Sequence, residues 1–342
     1  MNRRITYMVL STFLLVLAAG CKRIPLYERS TKINLVVDLK RGLDHDIVLE
    51  YETELPKEYQ DKIDGVVPTY YETLVYDPLT NALKSSHIVG EKGGSLSLFP
   101  GEYNLVLYNF GTESTQVKDL HHRLEANAFT TDITDLKSAA IRSKTMNEAT
   151  KGSKAYENDP IIYEPDHLYV ANKENVVIEA FQGREQEITI HTTASSILQV
   201  YSIEVLNVSG TENISKVEAF VTGQVLEHNF GVPQCGDSPA TICIDLTVDE
   251  KNNRLYVILC TFGKLKGAEN MLFLDVADMG TAGGKYRYIF DVTDQFDDPN
   301  NVNHRIVVDG SVIDIPKPEL GGGGLKPSVD EWEKEEIDVP LG

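Results

Sequence analysis

Basic residues are scarce in this chain. Lys and Arg number 32 against 52 Asp and Glu, a formal net charge of −20 at pH 7. A surface of that sign repels phosphate backbones, so nucleic acid is not expected as a partner. It also gives no electrostatic hold on an anionic bilayer. Cysteine is scarce too, with Cys21, Cys235, Cys243 and Cys260 only. No CxxC pair or matching histidine pair accompanies them, which argues against zinc. Apolar runs are short. The stretch Met8–Ala19 is about a dozen residues, where a spanning helix needs about 20.

Catalytic signatures are also missing. There is no GxSxG element. "GTAGGK" (280–285) has three residues between its outer glycines where a phosphate loop needs four, and Tyr286 stands where Ser or Thr is required. It reads as a hairpin turn. His121 and His122 are adjacent, so on a helix they point about 100° apart, whereas metal ligands favour a spacing of four, which argues against a metal pair. "DQFDDPNNVN" (294–303) is rich in oxygen ligands but lacks the glycine and closing Glu of a calcium loop. The expectation is a non-enzyme without metal or cofactor.

What is present begins at the N-terminus. Arg3 and Arg4 precede the apolar stretch, and Ala18, Ala19, Gly20 and Cys21 follow it. Charged, greasy, then small is the layout of a secretory signal. Small residues before a cysteine resemble the lipobox of bacterial lipoproteins, with Leu17 one place further upstream than is commonest. That resemblance implies cleavage before Cys21 and acylation of it. Each buried CH₂ adds about 0.8 kcal/mol, and stable anchoring needs more than one acyl chain. Residues 1–20 carry two arginines and no acid, so the mature charge becomes −22.

Beyond Cys21 the pattern is mostly period two. Strands are expected over 32–39, 45–52, 71–77, 161–171, 186–193, 197–208, 216–223, 240–248, 253–262, 270–278 and 285–296. "GSLSLFPGEYNLVLYNF" (94–110) reads as two strands joined at Pro100–Gly101. Its second arm is apolar on both faces and therefore central. "DPLTN" (77–81) reads as a turn. "RIVVDGSVIDIP" (305–316) reads as a hairpin with Asp309-Gly310 at its tip. Helical spacing is confined to 114–126 and 132–144, and 145–160 is polar and loop-like.

The expected fold is all-β, two tandem β-sandwiches with few short helices. The expected segments are a signal (1–20), an N-terminal sandwich (21–182), a C-terminal sandwich (183–318) and a Gly-linked acidic tail (319–342). That tail, "LKPSVDEWEKEEIDVPLG" behind Gly321–Gly324, holds the only tryptophan and ends in an alternation able to add a strand. Cys235 and Cys243 flank a short loop and could staple it outside the cytoplasm. Cys260, closing "LYVILC", is expected free and buried.

Several segments taken together resemble a family of lipoproteins from anaerobic Gram-negative gut and oral bacteria. They are "CKRIPLYE" (21–28), "LFPGEYNLVLYNFGTEST" (98–115), "IIYEPDHLYVA" (161–171), "YIFDVTDQF" (288–296) and the closing tail. That family is akin to fimbrial anchor and accessory lipoproteins. The resemblance implies tandem transthyretin-like sandwiches and an outer-membrane location. It also implies partners among fimbrial or other surface proteins. Shaft subunits of such fimbriae lose a strand by cleavage after an arginine, whereas anchors keep theirs. Here a cut at Lys40-Arg41 would part the body from its lipid, which favours an anchor or accessory role. Lys22 and Arg23 stand where surface-exported relatives carry acids, so the membrane face stays open. A rival expectation is a glycan-binding surface lipoprotein, which would need an exposed aromatic platform.

Overall fold

The computed structural model describes residues 30–132, 159–180, 187–280 and 285–317. Cys21 with the signal, nearly all of the helix expected over 132–144 and the acidic tail lie outside them. The strands of the first half are β1 (Thr31–Lys40), β2 (Tyr70–Tyr76), β3 (Leu83–Gly90), β4 (Gly93–Leu98), β5 (Gly101–Asn109), β6 (Thr115–Lys118), β7 (Asn127–Thr130), β8 (Ile161–Tyr163), β9 (Tyr169–Ile178) and β10 (Glu187–Ser196). Those of the second are β11 (Gln199–Leu206), β12 (Ile214–Val225), β13 (Glu227–Asn229), β14 (Gln234–Cys235), β15 (Pro239–Asp245), β16 (Thr247–Asp249), β17 (Arg254–Thr261), β18 (Met271–Asp278), β19 (Lys285–Asp291) and β20 (Arg305–Asp309). Helix is limited, among the described residues, to α1 (Lys57–Asp64), α2 (Thr293–Asp297) and two 3₁₀ turns. The all-β class expected from period-two patterning is the class observed.

Seven strands close into a ring, in the order β1-β10-β9-β5-β2-β3-β4. Its two walls, β4-β1-β10 and β3-β2-β5-β9, meet at narrow corners. One corner is Gly90 opposite Gly93, the other Ser195-Ser196 opposite Tyr169-Val170. Gly93 has a φ of 101°, and a Cβ there would lie 1.9 Å from the Leu35 carbonyl oxygen, so the first corner requires glycine. Alternation turns Ile33, Leu35 and Val37 of β1 inward against Leu96, Leu105 and Leu107. The other face of the β2–β5 wall is also covered: Leu74, Val106 and Tyr108 pack with Phe230 and Phe262 from the second half. That double burial explains the two apolar faces of β5, which lies between β2 and β9.

The second half is a sandwich of β16-β17-β11-β20 on β19-β18-β12-β15-β8. Ile203, Val205, Val257 and Leu259 meet Val221 and Leu274 between them. A further sheet, β14-β13-β7-β6, takes strands from both halves. The boundary expected near residue 182 falls between β9 and β10, yet both belong to the ring. Conversely β8 leaves the first half and pairs in parallel with β15.

Three local expectations are corrected. Residues 45–52 form no strand. They lie in an arm, residues 41–69, that leaves β1 and packs Ile47, Leu49 and Ile63 on the second sandwich. Its backbone bonds to side chains rather than to a strand: Ser202 Oγ donates to the Val48 carbonyl at 3.1 Å, and Glu50 N–H donates to Glu204 at 3.0 Å. The helix expected over 114–126 is β6 followed by a 3₁₀ turn, Arg123–Glu125. A helix that short is marginal alone, and pairing with β7 satisfies the same backbone groups. The hairpin expected at 305–316 does not form, because β20 pairs in parallel with β11. Gly310 N–H donates to the Leu206 carbonyl at 2.6 Å, and the chain then runs beside Ser209, burying Ile313 and Ile315.

Candidate adhesion and assembly surfaces

The arm is fastened by a buried ion cluster. The side chains of Glu204 on β11 and Arg254 on β17 are fully buried and 2.6 Å apart. Arg254 also donates to Asp249 at 2.9 Å and to Thr53 of the arm, with its guanidinium between the rings of Tyr51 and Tyr256. Arg305 on β20 adds a second cation to Glu204 at 3.0 Å. Opposite charges and hydrogen bonds on every side make the burial tolerable. The central pair, Glu204 and Arg254, is closed to solvent, so its work is to hold the arm down.

Above the other end of the arm lies a groove of about 970 Å³. Its wall is a cross-strand aromatic pair. Tyr71 on β2 pairs with Asn109 on β5, which brings Tyr70 beside Phe110 just beyond them. Their rings lie 16° from parallel with centroids 6.3 Å apart. Tyr70 is 52% exposed and Phe110 44%, and the neighbouring Val66 and Val67 are exposed as well. The floor holds Lys62, Glu164, His167 and Cys260. Lys62 Nζ lies 2.7 Å from Glu164, which also accepts the Cys260 backbone N–H. Burial raises the Glu164 carboxyl, and Lys62 pulls it back.

This floor is built to hold rather than to react. Burial pushes the Cys260 thiol well up, away from the thiolate a nucleophile needs. His167 Nε2 donates to the Lys62 carbonyl at 2.7 Å, and its Nδ1 accepts from Ser196 Oγ at 2.8 Å. Both ring nitrogens are thus committed, and burial keeps the ring below the usual histidine range. Among the described residues no three His, Cys, Asp or Glu side chains gather as a metal-holding set.

Sheet edges are the other places where a partner could add. The ring has none, since β4 closes it onto β1. At β20 the outer backbone is capped by amides. Gln295 donates to the Val307 carbonyl at 2.9 Å and accepts from Val307 N–H at 2.7 Å. Asn301 does the same for Arg305, at 2.9 Å each way. Such caps blunt an edge that would otherwise template another strand. The edge strand β19 has β18 on one side and no strand on the other among the described residues.

Of the site residues expected from sequence, Cys21 lies outside the described residues. Cys235 is an exposed free thiol on β14, and Cys243 is half-buried on β15 opposite Phe220. The staple expected between Cys235 and Cys243 is not formed, because the intervening turn delivers them to different sheets. Cys260 is buried on β17 as expected. The ion cluster and the Tyr70–Phe110 pair were missed. Their signals were present: Glu204 is a lone acid in an apolar strand, on the face opposite Ile203 and Val205, and Tyr70 and Phe110 stand next to the Tyr71–Asn109 pair, at the same end of the register between β2 and β5.

A family model described as Domain of unknown function (DUF5119) matches residues 74–245. The chain belongs to that family. The DUF5119 match runs from β2 to the end of β15, so the family unit spans both halves. Over 375 aligned positions the chain is 23% identical to a Bacteroides ovatus protein named "Putative fimbrium anchoring subunit Fim4B", covering 99% of each. This end-to-end match meets the likeness to fimbrial anchors read from the quoted segments. Among solved structures, "a putative adhesin" from Bacteroides ovatus superposes with a TM-score of 0.53 at 17% identity, over 87% of this chain and 99% of its own. That likeness shows the shared all-β fold.

Proposed function

We propose that this chain is a fimbria-anchoring or accessory lipoprotein, held to the outer membrane through Cys21 and working by protein contact rather than turnover. The observation that carries this reading is the position of β1. It pairs with β10 along Lys32–Lys40 and with β4 along Thr31–Val36, so it is locked on both sides. Loss of β1 by a cut at Lys40-Arg41 would strip Ile33, Leu35 and Val37 from the core. A retained first strand suits an anchor, and the end-to-end likeness to a fimbrium anchoring subunit supports the same role. Thr31 stands ten positions after Cys21. Fully extended, that stretch spans at most about 35 Å, which keeps the ring close to the bilayer. The test is affinity capture of the tagged protein from fimbriated cells, with deletion of its gene. Fimbrial subunits should co-purify, and deletion should release fimbriae into the medium. Capture of no fimbrial protein together with unchanged fimbriae would contradict the role.

A second reading rests on the groove. Tyr70 and Phe110 form an exposed platform of the kind that stacks on sugar rings. Under this reading a glycan array gives binding that a Tyr70→Ala/Phe110→Ala double variant abolishes. A bare array removes it.

A further inference from the structure

The strand register places one end of the ring at the tether. β1 begins there, with Thr31 opposite Leu98, and the chain from Cys21 enters the fold at that point. The β4–β5 turn follows at once, which puts Phe99 beside the first residue of β1. Gly101 pairs with Ile178 at the close of β9, and Lys32 with Glu187 at the start of β10. Tyr76 pairs with Asn104 and with Leu83, which sets the 77–82 turn at the same end. The chain leaves for the second half from the opposite end, at Lys40 into the arm and at Ser196 towards β11.

Two turns at this tethered end hold large apolar side chains in water. Leu79 is 91% exposed and Phe99 59%, and Val177, opposite Glu102 on β9, is exposed as well. One exposed apolar residue needs no explanation. Two on separate turns of the same end, next to the tether, call for one. Both turns also satisfy their own backbone. Asp77 accepts the Leu79 and Thr80 N–H groups at 3.0 and 2.9 Å, and Asn81 N–H donates to the Asp77 carbonyl at 2.9 Å. Tyr103 donates to the Phe99 carbonyl at 3.0 Å. Unpaired backbone groups are the main cost of leaving water for a bilayer surface, and these stay paired. Charge at this end is largely cancelled: Lys84 pairs with Asp77 at 2.8 Å and Lys32 with Glu187 at 3.1 Å. Exposed Glu102 and Glu179 remain. Apolar tips with a slight negative balance suit zwitterionic headgroups rather than anionic ones.

We propose that the tethered end of the ring seats on a zwitterionic phospholipid surface, with Leu79 and Phe99 in the headgroup layer. The proposal rests on acylation of Cys21 and goes beyond it: the acyl chains hold the protein, and the two tips set its orientation. Glu102 and Glu179 keep their carboxylates in headgroup water and limit the depth. The groove walled by Tyr70 and Phe110 lies at the other end of the same strands, so it faces away from the bilayer.

Photo-cross-linking of the acylated mature protein in vesicles tests it. The vesicles are phosphatidylcholine and phosphatidylethanolamine, with a trace of phospholipid bearing a diazirine near the headgroup. Lipid adducts, localised by fragmentation in the mass spectrometer, should fall on residues 77–81 and 98–101 at least tenfold above Tyr70 and Ile88, which are exposed at the other end. A Leu79→Asp/Phe99→Asp variant changes exposed positions only. It should lose the turn adducts at least tenfold while keeping its acyl chains and its hold on the vesicles. Adducts centred on Tyr70 and Ile88, absence of adducts at the two turns, or turn adducts that the variant retains would overturn the proposal. Intact mass of the same sample reads the acyl chains independently. An unacylated chain overturns the anchor role and this orientation with it, whereas an acylated chain without turn adducts overturns the orientation alone.

Discussion

At the residue scale, the buried cluster shows how charge can be committed to architecture. Arg254 touches Glu204, Asp249 and Thr53 and has no exposed side-chain surface. Arg254→Ala leaves Glu204 buried with one cation fewer and opens a cavity beneath the arm. The expected cost is about 3–5 kcal/mol in denaturant unfolding. Arg305→Ala should cost less, because Arg305 is a quarter exposed and leaves Glu204 still paired to Arg254. Equal losses would mean that burial is not what gives the cluster its weight. His167 has the opposite character, being buried in its neutral form. Burial depresses it below the ordinary 6.5, and the Lys62 carbonyl partly offsets this. The unfolded chain therefore binds the proton more readily, so the contribution is full above pH 6.5 and shrinks as pH falls below it, by at most about 1.4 kcal/mol per pH unit. His304, depressed by burial and by His45, adds in the same direction. Thermal unfolding from pH 7.5 to 5 should show this decline, and His167→Gln should make it shallower, leaving the share of His304.

At the element scale, strands were legible wherever alternation met a ladder. β1, β2, β5, β12, β17 and β18 fall where period two places them, because one or both faces are buried and the register fixes the pattern. The arm was not legible. Residues 45–52 alternate as a strand does, since a segment lying across a sandwich also buries every second side chain. What distinguishes it is where its amides bond, and Glu204 and Ser202 are more than 150 residues away in sequence. The 305–316 error is similar. Asp309-Gly310 is a strong hairpin signal, but the long-range pairing of β20 with β11 overrides it. For the candidate surfaces, the cysteine spacing misled because the connection between β14 and β15 sends the two thiols to different sheets. The groove was invisible because its walls come from four separated stretches.

At the scale of the whole molecule, the halves are interleaved rather than strung in series. β10 completes the ring from beyond residue 182, the arm of the first half lies on the second sandwich, and β14-β13-β7-β6 is shared. A fragment of residues 21–182 therefore lacks the strand that flanks β1, and should be aggregated or poorly folded by circular dichroism and size exclusion. Calorimetry of the intact chain should show one cooperative transition. A well-folded monomeric fragment would contradict the interleaving. This construction suits a protein that transmits pull from a partner to a lipid, because load on either half reaches the other through buried contacts. The most direct test of that role is metabolic labelling with a clickable fatty acid in cells carrying the wild-type protein or Cys21→Ala, followed by fractionation of membranes and medium. The account predicts label and outer-membrane retention for the wild type. In the variant both should be lost, with fimbriae shed into the medium. A Cys21→Ala protein that still labels, stays with the outer membrane and keeps its fimbriae on the cell would contradict it.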